Sequence, residues 1–310
     1  MRPSLSNPFY EVDRVRQALR GPVPSVSPCF LENDELDWDG IADNIEFLIA
    51  SGAGTLLLTY GDSLLSILTD EENDALTRFV VERAGHRAMV VGCGRKWPLK
   101  QSLQFARHCR DCGADVVIPF APDWAQHADP ELLVEYYRAV GAVMPVMLLS
   151  NPMNGRGIPL SVMETLSAQD GIVAVKDDAP APYGRRLGSV IRDKFAFLSG
   201  GTAENFLQTA PYGADGYLSV FMRAFPQVSH RFWEAWENGD TRECVRLIDT
   251  YEVSFFRFCA ENHIHFSACI HGMTELAGVC SRRIRMPYST MTDGQMELLR
   301  AYLAGLGLMQ

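Results

Sequence analysis

Short apolar runs alternate with amphipathic stretches along most of the chain. Turn-forming residues bound the apolar runs, which is typical of strands that are buried on both faces. The stretches between them place apolar residues at helical spacing, as in the segment from Trp38 to Ala50, where Ile41, Ile45 and Leu48 share one face. This alternation predicts a parallel sheet whose strands are connected by helices.

Eight such strand–helix units follow one another between about residues 22 and 238. Eight units in a segment of this length favour a closed TIM (β/α)8 barrel over an open, doubly wound sheet. No G-x-G-x-x-G motif follows the first predicted strand, which disfavours a dinucleotide-binding fold. The predicted strands are residues 22–28, 55–59, 88–92, 115–119, 145–149, 172–175, 195–198 and 216–220.

The end of the chain continues the helical pattern but contains no further strand pattern. We therefore predict a barrel with a short N-terminal helix over residues 1–238 and a C-terminal helical extension over residues 239–310. An extension of this kind is suited to packing on the barrel or to contacts between subunits.

Composition excludes several classes of protein. The 310 residues carry a net charge of -10, which argues against nucleic acid or an anionic membrane as the main partner. No apolar run is long enough to span a bilayer, and the N-terminus has no hydrophobic signal core. The eight cysteines are scattered, and Cys109 and Cys112 lack the further ligands of a zinc site. We expect a cytoplasmic protein without a metal or cofactor.

One predicted strand ends in a lysine that can carry chemistry. The run Gly171-Ile172-Val173-Ala174-Val175 leads directly into Lys176-Asp177-Asp178. The carboxyl ends of barrel strands form the mouth where TIM barrels place their active sites. A lysine that is partly desolvated there can act as a neutral amine and form a Schiff base with a ketone. The alternative is an ordinary lysine that is ion-paired with Asp177 or Asp178.

Several motifs, in order and at matching spacing, carry a resemblance to the dihydrodipicolinate synthase and N-acetylneuraminate lyase family. The family's characteristic features are an opening V-T-P-F, an L-T-x-E-E helix start, a G-A-D before the fourth strand, a K-D or K-E lysine, and a late G-x-x-G-x-I-S. The resembling segments here are Ser25-Val26-Ser27-Pro28-Cys29-Phe30, Leu68-Thr69-Asp70-Glu71-Glu72, Gly113-Ala114-Asp115, Lys176-Asp177, Leu198-Ser199-Gly200 and Gly213-Ala214-Asp215-Gly216-Tyr217-Leu218-Ser219-Val220.

The resemblance implies a class I aldolase or lyase on a TIM barrel. It implies that Lys176 forms a Schiff base with a small 2-oxo acid and that no cofactor is needed. It also implies a homo-oligomer, because members of the family form homotetramers built from dimers.

The chain departs from the family at two motifs. The G-T-T-G-E loop falls on Tyr60-Gly61-Asp62-Ser63-Leu64, so the threonines that grip a substrate carboxylate are missing. Ser63 and the loop amides are the candidate replacements, whereas Asp62 would repel a carboxylate. The tyrosine of the family's Y-N-x-P motif corresponds in this comparison to Ser150.

The remaining candidates follow from these departures. Tyr60 and Ser150 are the predicted proton carriers beside Lys176; the alternative for Tyr60 is an aromatic lid on the substrate. Arg156 can bind a carboxylate with two hydrogen bonds, or it can be an ordinary surface arginine. The predicted substrate-binding residues are Asp62, Ser63, Asn151, Arg156, Gly200 and Leu218.

Two functions remain open from the sequence. The first is a lyase or aldolase, or a related dehydratase, that acts on a pyruvate-like or sugar-acid-derived 2-oxo acid. Because the synthase tyrosines are absent, we expect a reaction other than dihydrodipicolinate synthesis. The second is a catalytically reduced barrel that binds a small carboxylic acid without turnover.

Overall fold

Eight parallel strands form the centre of the protein. The computed structural model describes residues 8–96, 98–120, 128–150 and 158–309. From β2 to β8 each strand pairs with the next strand in chain order, and β1 pairs with β8. The strands are β1 (Gly21–Val23), β2 (Thr55–Leu57), β3 (Met89–Cys93), β4 (Val116–Ile118), β5 (Val146–Ser150), β6 (Ile172–Asp177), β7 (Ala196–Ser199) and β8 (Gly216–Leu218).

The two edges of this sheet meet just beyond β1. Ser25 forms a parallel bridge with Leu57 of β2, and the Val26 amide donates to the Leu57 carbonyl at 3.0 Å. The predicted TIM barrel is therefore confirmed. The predicted first strand, residues 22–28, is reduced to Gly21–Val23. The residue after it, Pro24, has no amide hydrogen to add to the ladder.

The sixth strand is longer than the sequence pattern indicates. We predicted that it ends at Val175, but the ladder continues to Asp177. The Asp178 amide then donates to the Ser150 carbonyl at 2.8 Å, and the Gly200 amide donates to the Asp177 carbonyl at 2.7 Å. This extension places Lys176 within a regular strand, which determines the face on which its side chain lies.

Helices connect the strands and follow the expected start signals. A capping box begins the helix α3 (Asp70–Ala84), since Thr69 and Glu72 each accept a hydrogen bond from the other's backbone amide. The barrel helices are α1 (Pro8–Leu19), α2 (Trp38–Ala50), α3 (Asp70–Ala84), α4 (Leu99–Cys112), α5 (Pro130–Gly141), α6 (Leu160–Leu166), α7 (Ala181–Ile191), α8 (Ala203–Thr209) and α9 (Pro226–Glu237).

The chain after α9 is helical and packs against the barrel. Glu252 provides one direct connection: its carboxylate accepts hydrogen bonds from the Ala203 and Glu204 amides at the start of α8, at 3.0 and 3.3 Å. Buried residues of this region belong to the same apolar core as the strands. Its elements are α10 (Thr241–Leu247), a π-helical segment (Ile248–Val253), α11 (Ser254–Glu261), α12 (Phe266–Leu276) and α13 (Asp293–Gly305).

Strand side chains alternate between the barrel interior and the surrounding helices. Leu149, Ala174 and Leu198 belong to the interior core, whereas Leu148 and Phe197 belong to a second cluster under the helices. In the described ranges, no helix is both long enough and apolar enough to cross a membrane.

Candidate active site

A cavity of about 330 Å³ lies at the carboxyl ends of the strands. Most strands contribute to its wall from their last residues or from the residues that follow, as expected for the mouth of a TIM barrel. Two aromatic residues from the C-terminal helices complete it. The lining residues are Thr59, Tyr60, Gly61, Asp62, Cys93, Ile118, Leu149, Lys176, Asp178, Gly201, Thr202, Leu218, Val220, Phe256 and Phe266.

Lys176 projects into this cavity from β6. The residue is only 3% exposed, and its Nζ donates a hydrogen bond to Oδ1 of Asp178, which also lines the cavity. The Asp178 carboxylate is therefore close enough to exchange a proton with the Lys176 amine. The ion pair posed as the alternative is therefore present, and the lysine that forms it lies in the cavity wall.

Gly200 makes this arrangement sterically possible. A Cβ atom at this position would overlap the Asp178 carboxylate and approach the Asp177 carbonyl oxygen to 2.8 Å. Gly200 does not line the cavity, although it was predicted to bind substrate; its neighbour Gly201 lies in the wall instead. Glycine is needed here to accommodate Asp178 beside Lys176.

The loop after β2 is held by its own side chains. Ser63 is fully buried; its hydroxyl donates to the Val26 carbonyl at 2.7 Å and accepts from the Thr59 amide at 3.1 Å. Ser63 was predicted to bind substrate, but it does not line the cavity, and its hydroxyl proton is already donated to the Val26 carbonyl. Asp62 does line the cavity, and its Oδ2 accepts a hydrogen bond from Ser25 at 3.3 Å.

A buried arginine compensates the charge of Asp62. Arg223, which follows β8, is 2% exposed; its guanidinium lies 3.7 Å from the Asp62 carboxylate and donates to the Ser27 hydroxyl at 3.4 Å. Its Nε has no hydrogen-bond partner among the described residues. The repulsion that we expected between Asp62 and a substrate carboxylate is thus offset by a neighbouring positive charge.

A histidine completes this buried cluster. His271 of α12 is 1% exposed, and neither ring nitrogen has a partner within the described ranges. Burial, with a further contribution from the charge of Arg223, lowers the pKa of His271 to about 3. The imidazole is therefore neutral near pH 7 and adds no second charge beside the cavity.

Ser150 lies on the wrong side of its strand for the predicted catalytic role. Ser150 is paired with Asp177 on the neighbouring strand β6, and both side chains face the helices. The preceding cross-strand pair is Leu149 with Lys176, and both of these side chains face the cavity. Burial and the alternation of strand side chains therefore remove the Ser150 hydroxyl from the substrate space. If Pro152 is taken as the proline of the family's Y-N-x-P motif, the tyrosine position falls on Leu149, three residues earlier. Leucine has no proton to transfer.

Asp177 is a buried acid behind the lysine. It is 2% exposed, and its Oδ1 accepts a hydrogen bond from the Ala179 amide at 3.2 Å. Burial raises the pKa of Asp177 to about 7, although the Ala179 amide and the nearby Ser150 hydroxyl oppose this shift. Gly184 of α7 leaves room for this carboxyl group, since a Cβ there would lie 2.7 Å from Oδ2.

Two further residues carry groups that can donate a proton. Tyr60 lines the cavity, with its ring centroid 4.4 Å from that of Phe120. Cys93 also lines the cavity, but burial raises the pKa of its thiol to about 12, so it is protonated and a poor nucleophile near pH 7. Cys93 is therefore not expected to act as the nucleophile of the site.

The structure accounts for the predicted residues unequally. It brings Lys176, Tyr60, Asp62 and Leu218 to one cavity, and it separates Ser63, Ser150 and Gly200 from it. Asn151 and Arg156 lie outside the described residues. In the part of the chain that the structure describes, no group of three or more His, Cys, Asp or Glu side chains is arranged to hold a metal ion.

Two charged residues at the site were not among the predicted site residues. Asp178, which the sequence offered as an ion-pair partner of Lys176, lines the cavity and contacts Lys176. Arg223 was overlooked, although it is a lone charge within the apolar segment Val220-Phe221-Met222-Arg223-Ala224-Phe225. A single charged residue in such a segment is a signal of a buried, paired side chain.

Comparisons with known proteins agree with this architecture. Solved structures that share the fold include dihydrodipicolinate synthase of Oceanobacillus iheyensis (TM-score 0.83, 22% identity, 95% of this chain and 99% of that one). They also include the Escherichia coli K12 prophage protein YagE in complex with pyruvate (TM-score 0.82, 24% identity, 93% and 99%). A Ruminococcus gnavus sialic acid aldolase, a catalytic lysine mutant, has a TM-score of 0.83 at 14% identity, over 94% and 96%.

Sequence relatives extend over most of the chain. A 4-hydroxy-tetrahydrodipicolinate synthase of Methanosarcina acetivorans is 27% identical over 94% of this chain and 99% of its own. The putative 2-dehydro-3-deoxy-D-gluconate aldolase YagE of Escherichia coli K12 is 27% identical over 73% and 76%. The model of the dihydrodipicolinate synthetase family matches residues 18–305. The chain therefore belongs to the dihydrodipicolinate synthetase family, whose relatives here are named as synthases, lyases and aldolases.

Proposed function

We propose that this protein is a class I aldolase or lyase that forms a Schiff base between Lys176 and a 2-oxo acid. The observation that carries the proposal is the buried Lys176 amine, which opens into the cavity at the end of β6 and contacts the Asp178 carboxylate. An amine in this position has both the access to a carbonyl carbon and the proton acceptor that imine formation needs.

Asp178 is the group that exchanges protons with the lysine. It takes one proton from the Lys176 ammonium group, and the neutral nitrogen then forms a bond to the carbonyl carbon of the substrate. The carbonyl oxygen takes up one proton from the attacking nitrogen, which gives a carbinolamine, and a second proton from Asp178; it then leaves as water, so that a protonated imine forms. Asp178 can return the proton at this step because it stays within hydrogen-bonding distance of the nitrogen.

The protonated imine then accepts the electrons of a neighbouring carbon–carbon bond. When that bond breaks, a hydroxyl group on the departing carbon loses its proton and becomes the carbonyl of an aldehyde, while the imine becomes an enamine. The reverse sequence makes the bond. Tyr60 is the phenol of the cavity wall that can carry this second proton, since Ser150 lies outside the cavity and Leu149 has none to offer.

Relatives support this chemistry by analogy. The Ruminococcus gnavus aldolase is described as a mutant of its catalytic lysine, and the Escherichia coli protein YagE as a complex with pyruvate. We propose that Lys176 corresponds to such a lysine and that pyruvate, or a 2-oxo acid that contains its three carbons, is a substrate. Leu149 stands where the family has its tyrosine, and we therefore expect a reaction other than dihydrodipicolinate synthesis.

Borohydride trapping with pyruvate tests the proposal. Reduction of the imine is expected to leave a stable adduct, which intact mass and peptide mapping should place on Lys176. Lys176→Ala should abolish the adduct, whereas Asp178→Asn should still form it, but about 10–100-fold more slowly, because the amide cannot accept the proton. A folded natural protein that forms no adduct over a broad panel of 2-oxo acids would contradict the proposal.

A second function has one observation in its favour. Neither Leu149 nor Ser150 supplies a phenol at the usual tyrosine position. This is expected of a protein that binds the acid but no longer catalyses a reaction. Binding of pyruvate in calorimetry, without an adduct and without any aldol product, would be the result that favours it.

Assembly and cellular location belong to the same proposal. We expect a homo-oligomer, a dimer or a tetramer, as in the family that the chain belongs to. We expect the cytoplasm as its location, because all eight cysteines are free thiols in the structure, as is usual for a reducing compartment. Sedimentation of the purified protein tests the first expectation.

A further inference from the structure

We infer that the 2-oxo acid of this enzyme carries an apolar, ring-sized group, such as an aryl group, rather than a polyhydroxylated chain. The inference rests on the proposed Schiff-base function and specifies the substrate class of the same cavity. It differs from the sugar acid in the name of the relative YagE. Three features of the cavity wall support it.

The first feature is an apolar arc on three consecutive strands. We use the term apolar arc for Cys93 at the end of β3, Ile118 at the end of β4 and Leu149 near the end of β5, all of which line the cavity. Leu149 is in register with Lys176 on the neighbouring strand. The arc therefore begins directly beside the reactive nitrogen, where the carbon chain of an imine would extend.

The apolar arc is unsuited to hydroxyl groups. A hydroxyl that loses its water without gaining a hydrogen bond costs about 1–3 kcal/mol. The side chains of Ile118 and Leu149 offer no hydrogen bond, and the Cys93 thiol is a weak donor that already points to the Gly94 carbonyl at 3.5 Å. A sugar chain lying on this surface would lose several such bonds, whereas a ring would lose none.

The second feature is a pair of phenylalanines at the cavity rim. Phe256 of α11 and Phe266 of α12 line the cavity, and their ring centroids lie 6.3 Å apart in an edge-to-face arrangement. They are 37% and 39% exposed, so two adjacent aromatic rings form an accessible apolar surface at the cavity. A third ring placed against this pair would bury apolar surface and make the favoured edge-to-face contacts.

The third feature is the position of the polar groups. Lys176 lies in β6, Asp178 follows β6, and Thr202 follows the adjacent strand β7. Asp62 lies across the barrel, with its charge offset by Arg223. The polar groups can thus receive the reacting carbonyl and its carboxylate, while the arc and the two phenylalanines remain for the apolar part. A volume of about 330 Å³ matches the lower end of the range for small-molecule sites.

The test compares the concentration dependence of borohydride trapping for three acids. Pyruvate reports the Schiff base alone, phenylpyruvate adds an aryl group, and 2-dehydro-3-deoxy-D-gluconate adds a hydroxylated chain. We expect half-maximal trapping at a concentration of phenylpyruvate at least about tenfold below that of either other acid, which corresponds to about 1.4 kcal/mol of binding.

Variants of the rim attribute the preference to the cavity. Phe256→Ala and Phe266→Ala should each raise the half-maximal concentration of phenylpyruvate about fivefold or more, and that of pyruvate clearly less. Leu298→Ala is the matched control, because Leu298 of α13 is also exposed, at 50%, but does not line the cavity. This variant should trap all three acids as the natural protein does.

The outcomes separate the two proposals. If pyruvate is trapped and the sugar acid saturates at a concentration equal to or below that of phenylpyruvate, the inferred substrate class is wrong and the Schiff-base function stands. If rim variants weaken pyruvate and phenylpyruvate equally, the aryl group does not contact the rim and the inference also fails. If pyruvate itself is not trapped, the proposed function fails, and the inference that rests on it fails too.

Discussion

Two neighbouring pairs of residues on β5 and β6 have opposite surroundings. Leu149 is paired with Lys176 on the cavity side, and Ser150 is paired with Asp177 on the helix side. The cavity side combines an apolar wall with one reactive amine, whereas the helix side buries a hydroxyl and an acid that are remote from substrate. A shift of one residue along a strand therefore separates polar groups that line the cavity from polar groups buried under the helices.

The comparison shows that polarity alone does not identify a catalytic residue. Ser150 is the more reactive of the two residues at the end of β5, yet it faces the helices. Leu149 lines the cavity but has no group that can transfer a proton, so this position supplies an apolar contact and no acid or base.

Removal of the reactive amine should have the largest effect. Lys176→Ala is expected to lower kcat by at least about a thousandfold, because no other described nucleophile replaces the lysine. Ser150→Ala on the helix side should change kcat/KM less than about threefold. Steady-state aldol cleavage measures both. A large loss in Ser150→Ala with an unchanged melting temperature would break the comparison between the two sides.

Removal of the buried cation near Asp62 should affect stability next. Arg223→Met leaves the Asp62 carboxylate without its partner, and loss of one member of a buried pair costs about 3–5 kcal/mol of unfolding free energy. Urea denaturation measures this loss. In the double variant with Asp62→Asn much of the stability should return; an equal loss in the double variant would show that Arg223 contributes packing rather than charge.

Introduction of a tyrosine sharpens the comparison between the two sides. Leu149→Tyr should place a phenol in the cavity and change the ratio of the rates for different aldehydes, while the protein remains folded. Ser150→Tyr forces a ring between the strands and the helices, which is expected to cost about 1–3 kcal/mol of stability. If Ser150→Tyr were stable and altered the aldehyde preference, the assignment of faces would be wrong.

A smaller effect is expected in the pH dependence of stability. Burial raises the pKa of Glu252 from 4.5 to about 7, so the folded state holds a proton that the unfolded state has lost. This contribution is fully present below about pH 4.5 and is lost as the pH rises through 7. Between pH 5 and 8, the unfolding free energy should fall by about 2 kcal/mol more in the natural protein than in Glu252→Gln.

The Glu252 prediction has its own control. Glu204→Gln neutralises a second acid at the start of α8. The Glu204 backbone amide, which donates to the Glu252 carboxylate, is unchanged by this substitution. Burial is the main cause of the raised Glu252 pKa and the Glu204 charge the smaller one, so this variant should keep most of the pH dependence. Thermal melts across this pH range distinguish the two, and parallel curves for Glu252→Gln and the natural protein would contradict the assignment.

The sequence was informative about the site where a residue type is tied to one place in the fold. Lys176 follows a buried strand, and its position at the mouth of a barrel could be predicted from that alone. Asp178 and Arg223 could not be assigned in this way, because their roles depend on contacts with Lys176 and Asp62. The space that Gly200 leaves for Asp178 is likewise a property of packing, not of sequence spacing.

Periodicity by itself determined the eight strand–helix units, the barrel that they close and the lysine at its mouth, because each strand is a short apolar run between amphipathic helices. The tertiary structure decided which side chains at each strand end face the cavity. It also decided that the Ser63 hydroxyl bonds to the Val26 carbonyl, and that Phe256 and Phe266 reach the cavity from distant helices. The physical reason is that strand register and the approach of the C-terminal helices are set by packing between segments far apart in the chain, which local patterns do not record.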